Sequence, residues 1–364
     1  MDIRATFNFP EGGERFEETG NVGFLRQAIS DLHRKIQYGP SDRAHLPTLL
    51  GMLGVLYSEC FGCTGDLNDI DRSISYFQEA VESTPTGHAG FPAQLNNVAI
   101  SFRRRFEHTG ELNDVDHAIS HLQQAVDSTP AGHANLPSWF YNLGNLFSCR
   151  FEHTGELNDV DRAISYHQTA VDSTPAGNAD RPDRLHNLGN LFLRLFNRTG
   201  ELNDVNRAIS YHQKAVDSTP AGHADLLTRF SDLGSSFARR FECMEELNDV
   251  DCAISYHRKA VDFTPAEHAT DLPGWFSNLG NSFLLRFGRT NELNDVDLAI
   301  SYHQKAVNSA PARQASLPFL FNNLGSSFRC RFQRTGELND INHAILYLQK
   351  AIDSTPAGHA DLVG

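Results

Sequence analysis

A repeat with a period of 45 residues runs through almost the whole chain and limits what the chain can fold into. The tetrapeptide Asp/Glu-Leu-Asn-Asp recurs at this spacing, with one 46-residue step caused by an extra residue near Thr270. Such a period overrides the two or three domains that about 150 residues per domain would suggest for 364 residues. The leucines of the tetrapeptide are Leu67, Leu112, Leu157, Leu202, Leu247, Leu293 and Leu338.

The repeats predict one array over residues 1–364, and no segment is left for a domain of another kind. The array amounts to about eight units, of which the first is degenerate. The predicted boundaries are a partial unit at 1–40, then units at 41–85, 86–130, 131–175, 176–220, 221–265, 266–311 and 312–356, and the truncated start of another at 357–364.

Each unit contains two amphipathic patterns, which we call helix A and helix B. In residues 176–220, Leu185, Leu188 and Phe192 lie on one face of a 3.6-residue period. The predicted helix A has Asp180 as its N-cap and ends at Gly200, because a glycine commonly terminates a helix.

The predicted helix B has Asn203 as its N-cap and ends before Thr219-Pro220. One such pair of helices cannot bury both apolar faces alone, so neighbouring pairs must stack. The sequence therefore predicts an all-α fold, a right-handed solenoid of antiparallel helix pairs.

Glycine recurs in the middle of helix A, on its apolar face. A glycine inside a helix costs about 0.5–1 kcal/mol relative to alanine. Its repeated presence indicates helices that pack too closely for a Cβ atom. The glycines are Gly54, Gly144, Gly189, Gly234, Gly280 and Gly325, and Ala99 takes the remaining place.

The order Leu143-Gly144, Phe147, Ala163, Ala170 and Pro175 resembles the tetratricopeptide repeat (TPR), which has Leu-Gly in its first helix and Ala, Ala and Pro in its second. This unit is longer than the usual 34 residues, and His167 stands where an aromatic residue is usual. More narrowly, the chain is similar to repeat arrays of mushroom-forming fungi, many of which precede a caspase-like protease module, the CHAT domain.

Composition argues against several partners. The chain has 31 basic and 45 acidic residues, a net charge of −14, which disfavours nucleic acid and anionic membranes. We expect no membrane-spanning run of about 18 apolar residues and no secretory leader. The 6 scattered cysteines fit reduced thiols, so a cytoplasmic location is expected.

The sequence offers no catalytic motif, so we expect no enzyme, no cofactor and no metal. Cys60 and Cys63 have the spacing of half a zinc site, but no second pair completes it. Other units carry arginine or histidine at these two positions. This favours incidental variation over metal binding.

Nine of the 17 histidines fall into two registers. One register alternates with leucine and phenylalanine, which predicts buried neutral side chains; its histidines are His167, His212, His257 and His303. The other alternates with Arg, Asn and Gln in the turn after helix B, which predicts hydrogen bonds to helix ends. Its members are His88, His133, His223, His268 and His359.

Amide side chains recur on the polar face of helix A, before and after the Leu-Gly pair. An amide can donate to a peptide carbonyl and accept from a peptide N–H, so a row of amides can hold an extended backbone. The resemblance to TPR proteins, whose first helices line a concave surface, implies the same role. The alternative is an asparagine merely copied with the unit. The predicted peptide-binding residues are Asn97, Asn142, Asn145, Asn187, Asn190, Asp232, Asn278, Asn281 and Asn323.

We therefore expect a noncatalytic scaffold that binds a peptide or protein segment in a groove of A helices. All lysines lie in B-helix patterns, which disfavours the carboxylate clamp of chaperone-binding TPR domains. One alternative is the regulatory part of a CHAT-type protease system. Another is a self-assembling array, because the last helix B carries Ile345-Leu346, and self-association through this end is then expected.

Overall fold

A computed structural model describes residues 20–38, 45–265, 270–311 and 314–355, and these form 15 α-helices. The chain divides into two compact units, Met1–Asn178 and Ala179–Gly364. In the first unit the helices are α1 (Val22–Tyr38), α2 (Leu46–Thr64), α3 (Leu67–Glu82), α4 (Phe91–Thr109), α5 (Leu112–Asp127), α6 (Leu136–Thr154) and α7 (Leu157–Asp172).

In the second unit the helices are α8 (Arg181–Thr199), α9 (Leu202–Asp217), α10 (Asp225–Met244), α11 (Leu247–Asp262), α12 (Leu272–Thr290), α13 (Leu293–Ser309), α14 (Leu317–Thr335) and α15 (Leu338–Ser354). From α2 onwards, even-numbered helices correspond to helix A and odd-numbered ones to helix B, and α1 is a B helix. Within each unit, every A helix packs on the B helix that follows it, and that B helix packs on the next A helix. The predicted all-α solenoid of paired helices is confirmed.

The A helix of residues 176–220, α8, begins and ends where the sequence predicts. Asp180 is the N-cap residue of α8, and Gly200 ends the helix in the left-handed region, with φ 74°. Its N–H donates to the carbonyl of Phe196, 2.7 Å away, which satisfies one of the carbonyls left free at the helix end. Glu245 and Asn291 adopt the same left-handed conformation after α10 and α12, with φ values of 53° and 58°.

The predicted start of helix B is wrong by two residues. The N-cap of α9 is Glu201, in an extended conformation, and Asn203 lies inside the first turn. The connection is organised by Thr199, whose Oγ1 accepts a hydrogen bond from the Glu201 N–H at 3.2 Å. The Glu201 carbonyl then accepts from the N–H of Asp204 at 2.9 Å, so the helix begins before the asparagine.

The mid-helix glycines face a bulky side chain of the paired B helix. A Cβ atom on Gly144 would lie 2.6 Å from the His167 ring, and one on Gly54 would lie 2.8 Å from the Phe77 ring. The close packing expected from the sequence is therefore present, and its cause is a buried ring seated against the A helix rather than contact between two backbones.

Helix α2 corrects one sequence-based expectation. By length and composition it is the one helix, within the described part of the chain, that could cross a membrane. More than half of its apolar segment is buried, and Leu53 and Leu56 are fully enclosed in the core that α2 shares with α1. A buried core helix can be as long and as apolar as a membrane-spanning helix.

Two glycines of α2 give a matched test of the packing. Gly54→Ala is expected to lower the free energy of unfolding by about 1–3 kcal/mol because the new methyl group overpacks against Phe77. Gly62→Ala is expected to be neutral or to stabilise by up to about 1 kcal/mol, since no described atom lies within 4 Å of its Cβ position. Urea unfolding of both variants measures the difference, and equal effects would contradict the packing.

Candidate functional site

The predicted binding residues all lie on A helices, but they differ in accessibility. Asn97 on α4 and Asn323 on α14 are buried, with 4% and 8% of their surface exposed. The expectation that both face an open groove is wrong, because neighbouring helices cover them. The remaining residues are half-buried: Asn142 and Asn145 on α6, Asn187 and Asn190 on α8, Asp232 on α10, and Asn278 and Asn281 on α12.

The residues before Leu-Gly connect A helices of consecutive repeats. The Asn142 amide donates to the Asn96 side-chain oxygen at 3.1 Å, and the Asn278 amide donates to the Ser231 hydroxyl at 3.1 Å. Asn323 makes the equivalent bond at 3.0 Å. One N–H of each of these amides therefore forms a hydrogen bond between repeats, although the sequence analysis assigned it to a peptide ligand. The signal that was missed is the polar acceptor one position earlier in the preceding repeat.

Asp232 departs from this pattern because it carries a carboxylate at a register that otherwise holds an amide from Asn97 to Asn323. Its Oδ2 atom lies 2.6 Å from Nε2 of His186 on α8. An imidazole N–H can donate to this oxygen, so a charge-assisted hydrogen bond replaces the neutral amide bond here.

The residues after Leu-Gly lie next to the buried histidines. Oδ1 of Asn190 is 3.1 Å from Nε2 of His212, and Ser235, at the same register in the next repeat, is 3.4 Å from His257. In the second unit, the accessible part of the predicted site therefore consists of half-buried amides, of which Asn190 lies next to a buried histidine.

The buried histidines behave as the sequence predicts. His167, His212, His257 and His303 have at most 2% of their surface exposed. Desolvation lowers the pKa of each to about 4, so all are neutral at pH 7. In the second unit their Nδ1 atoms lie 2.7–2.9 Å from the hydroxyls of Ser236, Ser282 and Ser327.

The histidines of the turns also take the predicted role. Nδ1 of His88 accepts from the Gly90 N–H at 3.0 Å, at the start of α4. His133 and His223 accept in the same way, at 3.2 Å and 3.3 Å. His268 and His359 lie outside the described residues.

An arginine clamp between repeats was not recognised from the sequence. Arg105 on α4 donates two hydrogen bonds, of 2.9 Å and 2.6 Å, to the buried carboxylate of Asp114 on α5. Its Nη1 atom donates to Asp71 of the preceding B helix at 2.6 Å. The buried aspartate is the last residue of the repeated tetrapeptide, so the available signal was an arginine nine residues earlier. The same clamp is made by Arg150, Arg286 and Arg331. Arg240 makes it with Asn206 in place of the aspartate of the preceding B helix.

The first copy of the clamp is assembled differently. Cys60 occupies the arginine position, and Arg26 of α1 reaches Asp69 instead, with bonds of 2.7 Å and 2.6 Å. Burial raises the pKa of Cys60 to about 11, which disfavours the thiolate that binds metals. Cys63 is exposed, and no group of His, Cys, Asp and Glu in the described part of the chain has the arrangement of a metal site.

Two clefts in the second unit adjoin the accessible A-helix residues. One, of about 450 Å³, is lined by Asn278 and Asn281 together with Ser235 and His257. The other, of about 530 Å³, lies beside Asp232 and Asn278 and is bordered by Phe319. The structure therefore brings Asp232, Asn278 and Asn281 of the predicted set to open clefts.

The structure resembles solved TPR proteins. The C-terminal part of a TPR repeat-containing protein from Cytophaga hutchinsonii has 15% sequence identity and a TM-score of 0.56, over 83% of this chain and 99% of that one. A TPR protein from Parabacteroides merdae has 13% identity and a TM-score of 0.49, over 84% and 95%. YrrB, described as a TPR protein with an unusual peptide-binding site, has 17% identity and a TM-score of 0.41, over 64% and 96%.

At such low sequence identities these similarities support the fold alone. The protein from Cytophaga hutchinsonii, with a TM-score of 0.56, provides this support. A scan against protein-family models finds no match, and a search of curated proteins finds none. The class defined by the fold is therefore a TPR-like repeat protein.

The buried histidines make stability depend on pH. Their folded pKa of about 4 lies below the ordinary histidine pKa of 6.5, so stability is fully present above pH 6.5 and is lost as the pH falls towards 4. His257→Leu, which copies Leu348, is expected to remove about 2 kcal/mol of the loss between pH 7.5 and pH 5. His223→Gln, a turn histidine changed to the residue of Gln314, serves as the control. Urea unfolding at both pH values measures the free energy of unfolding of each variant. The same pH dependence in both variants would contradict the assignment.

The clamp also gives a matched pair of variants. Arg286 binds Asp295, whose side chain is 1% exposed, and Asp251, whose side chain is 54% exposed. Asp295→Asn is expected to lower the free energy of unfolding by about 2–3 kcal/mol because it leaves a poorly compensated charge. Asp251→Asn is expected to cost less than about 1 kcal/mol. Urea unfolding measures both, and equal costs would refute the clamp.

Proposed function

We propose that this chain is a noncatalytic protein-interaction scaffold that binds an extended segment of a partner along its A helices. The observation that supports the proposal is the presence of Asn278 and Asn281 in one open cleft, on the helix face that carries a half-buried amide in several repeats. The TPR-like fold supports the same function, since stacked repeats provide extended binding surfaces.

The spacing of the repeats suits an extended backbone. Packed helices lie about 8–10 Å apart, and an extended chain advances about 3.3 Å per residue. Successive A helices therefore meet a bound segment about every three residues. One accessible amide at each step can form hydrogen bonds with the backbone of the segment. Most side chains of the segment then contribute little to its selection.

Selection from a phage-displayed library of random 12-residue peptides tests the proposal. The wild-type chain should enrich peptides above the bare matrix. The double variant Asn145→Ala/Asn281→Ala should raise the Kd of the selected peptides at least about tenfold, equivalent to about 1.4 kcal/mol. Fluorescence anisotropy with labelled peptides measures the Kd.

The matched control is Asn158→Ala/Asn294→Ala, which removes two exposed asparagines from the starts of B helices. It should leave the Kd unchanged. Failure to enrich any peptide would refute the proposed function. An equal loss of affinity in both double variants would refute the assignment of binding to the A helices.

Two other functions remain predictions. The resemblance to fungal arrays favours the regulatory part of a CHAT-type protease system, for which a His- and Cys-bearing domain encoded downstream would be the deciding observation. Self-association is favoured by α15, on which Ile345, Leu346 and Ile352 are 61%, 48% and 56% exposed. Light scattering of the wild-type chain and of Leu346→Ser, which copies the serine of the other repeats, would test it.

A further inference from the structure

One cleft of the second unit combines acidic and aromatic side chains. We call it the acidic cleft; it lies beside the N-terminal halves of α10, α12 and α14 and has a volume of about 530 Å³. Asp232 and Asp271 supply carboxylates, and Trp275 and Phe319 supply rings. No lysine, arginine or histidine is among the residues described as lining it.

The residues that make this cleft distinctive depart from the consensus of the repeat. Asp232 is the one acidic residue at a register that otherwise carries asparagine from Asn97 to Asn323. Phe319 is 56% exposed, at a register occupied elsewhere by small or polar residues. Those residues are Thr48, Ala93, Ser138, Asp183, Thr228 and Gly274.

Two further departures occur at the same place. Gly274, exposed in the first turn of α12, leaves the wall of the cleft without a side chain, although no described atom lies within 4 Å of its Cβ position. The single 46-residue step of the repeat falls just before Thr270, which also lines the cleft. The other repeats fold without these changes, so folding does not require them, and their convergence on one cleft points to a ligand.

The charges of the cleft favour a cation. Oδ2 of Asp232 lies 2.6 Å from Nε2 of His186, and the Asp232 side chain is still 33% exposed. Asp271 adds a second, exposed carboxylate. The net charge of −14 further favours a basic partner over an acidic one.

We propose that the acidic cleft binds an arginine side chain of the partner segment, which gives the scaffold its specificity. The guanidinium group is planar, can form two hydrogen bonds to one carboxylate and can stack on an aromatic ring, and the cleft places Asp232 and Phe319 for these contacts. This inference rests on the proposed function, because an arginine is read here only if a segment lies along the A helices.

The test compares peptides selected by the wild-type chain with those selected by Asp232→Asn/Phe319→Ser. Both substitutions introduce residues found at the same registers of other repeats, so the variant is expected to fold, and circular dichroism checks this. The matched control, Asp217→Asn/Phe263→Ser, makes the same chemical changes at the exposed C-terminal ends of two B helices, where Phe263 is 65% exposed.

The wild-type chain and the control should enrich arginine at one peptide position, and the cleft variant should not. In a selected peptide, replacing this arginine by citrulline, a neutral isostere, should raise the Kd about tenfold for the wild-type chain and less than about twofold for the cleft variant. Replacement by lysine should also weaken binding, because lysine cannot make the paired contacts.

The outcomes separate the two proposals. Peptides selected without arginine, or with an arginine preference that survives in the cleft variant, would overturn the acidic cleft and leave the scaffold function standing. The absence of any selected peptide would overturn both. Equal loss of arginine preference in the cleft variant and the control would assign the effect to net charge and would also overturn the cleft.

Discussion

The seating of one bulky B-helix side chain against a glycine of its A helix determines how most of the hairpins are built. A ring such as His257 occupies the space that a Cβ atom on Gly234 would require, so the two helices approach closely while the ring stays buried. Leucine, phenylalanine and neutral histidine can all fill this position, because the requirement is for volume. Histidine adds a hydrogen bond at the cost of sensitivity to acid.

Polar contacts then fix the register of neighbouring hairpins within each unit. Bonds such as Arg150 to Asp159 and Asp116 join an A helix to its own B helix and to the preceding one. On the other side of the A helices, side-chain amides join consecutive repeats. Hydrophobic contacts are tolerant of sliding, whereas these bonds require particular distances and angles, so they specify one arrangement of the stack.

A repeat protein can separate stability from recognition because most copies carry the shared contacts. The acidic cleft lies where three consecutive copies each depart from the other repeats, at Asp232, Gly274 and Phe319. These residues change the charge, shape and aromatic character of a surface without altering the buried glycine or the clamp. Divergence on a constant framework is a physical route from a general scaffold to a selective one.

The 45-residue period and the apolar spacing were enough to predict the all-α fold and the paired helices. Local patterns also predicted the end of α8 and the buried histidines. The start of helix B was missed for a local reason, the hydrogen bond between the Glu201 N–H and Thr199. The burial of Asn97 and the clamp around Asp159 were decided by tertiary structure. Each depends on residues brought together from different turns or repeats. Sequence spacing does not show which polar groups will form hydrogen bonds with one another. For the same reason, only the folded structure places Asp232 and Phe319 beside one cleft.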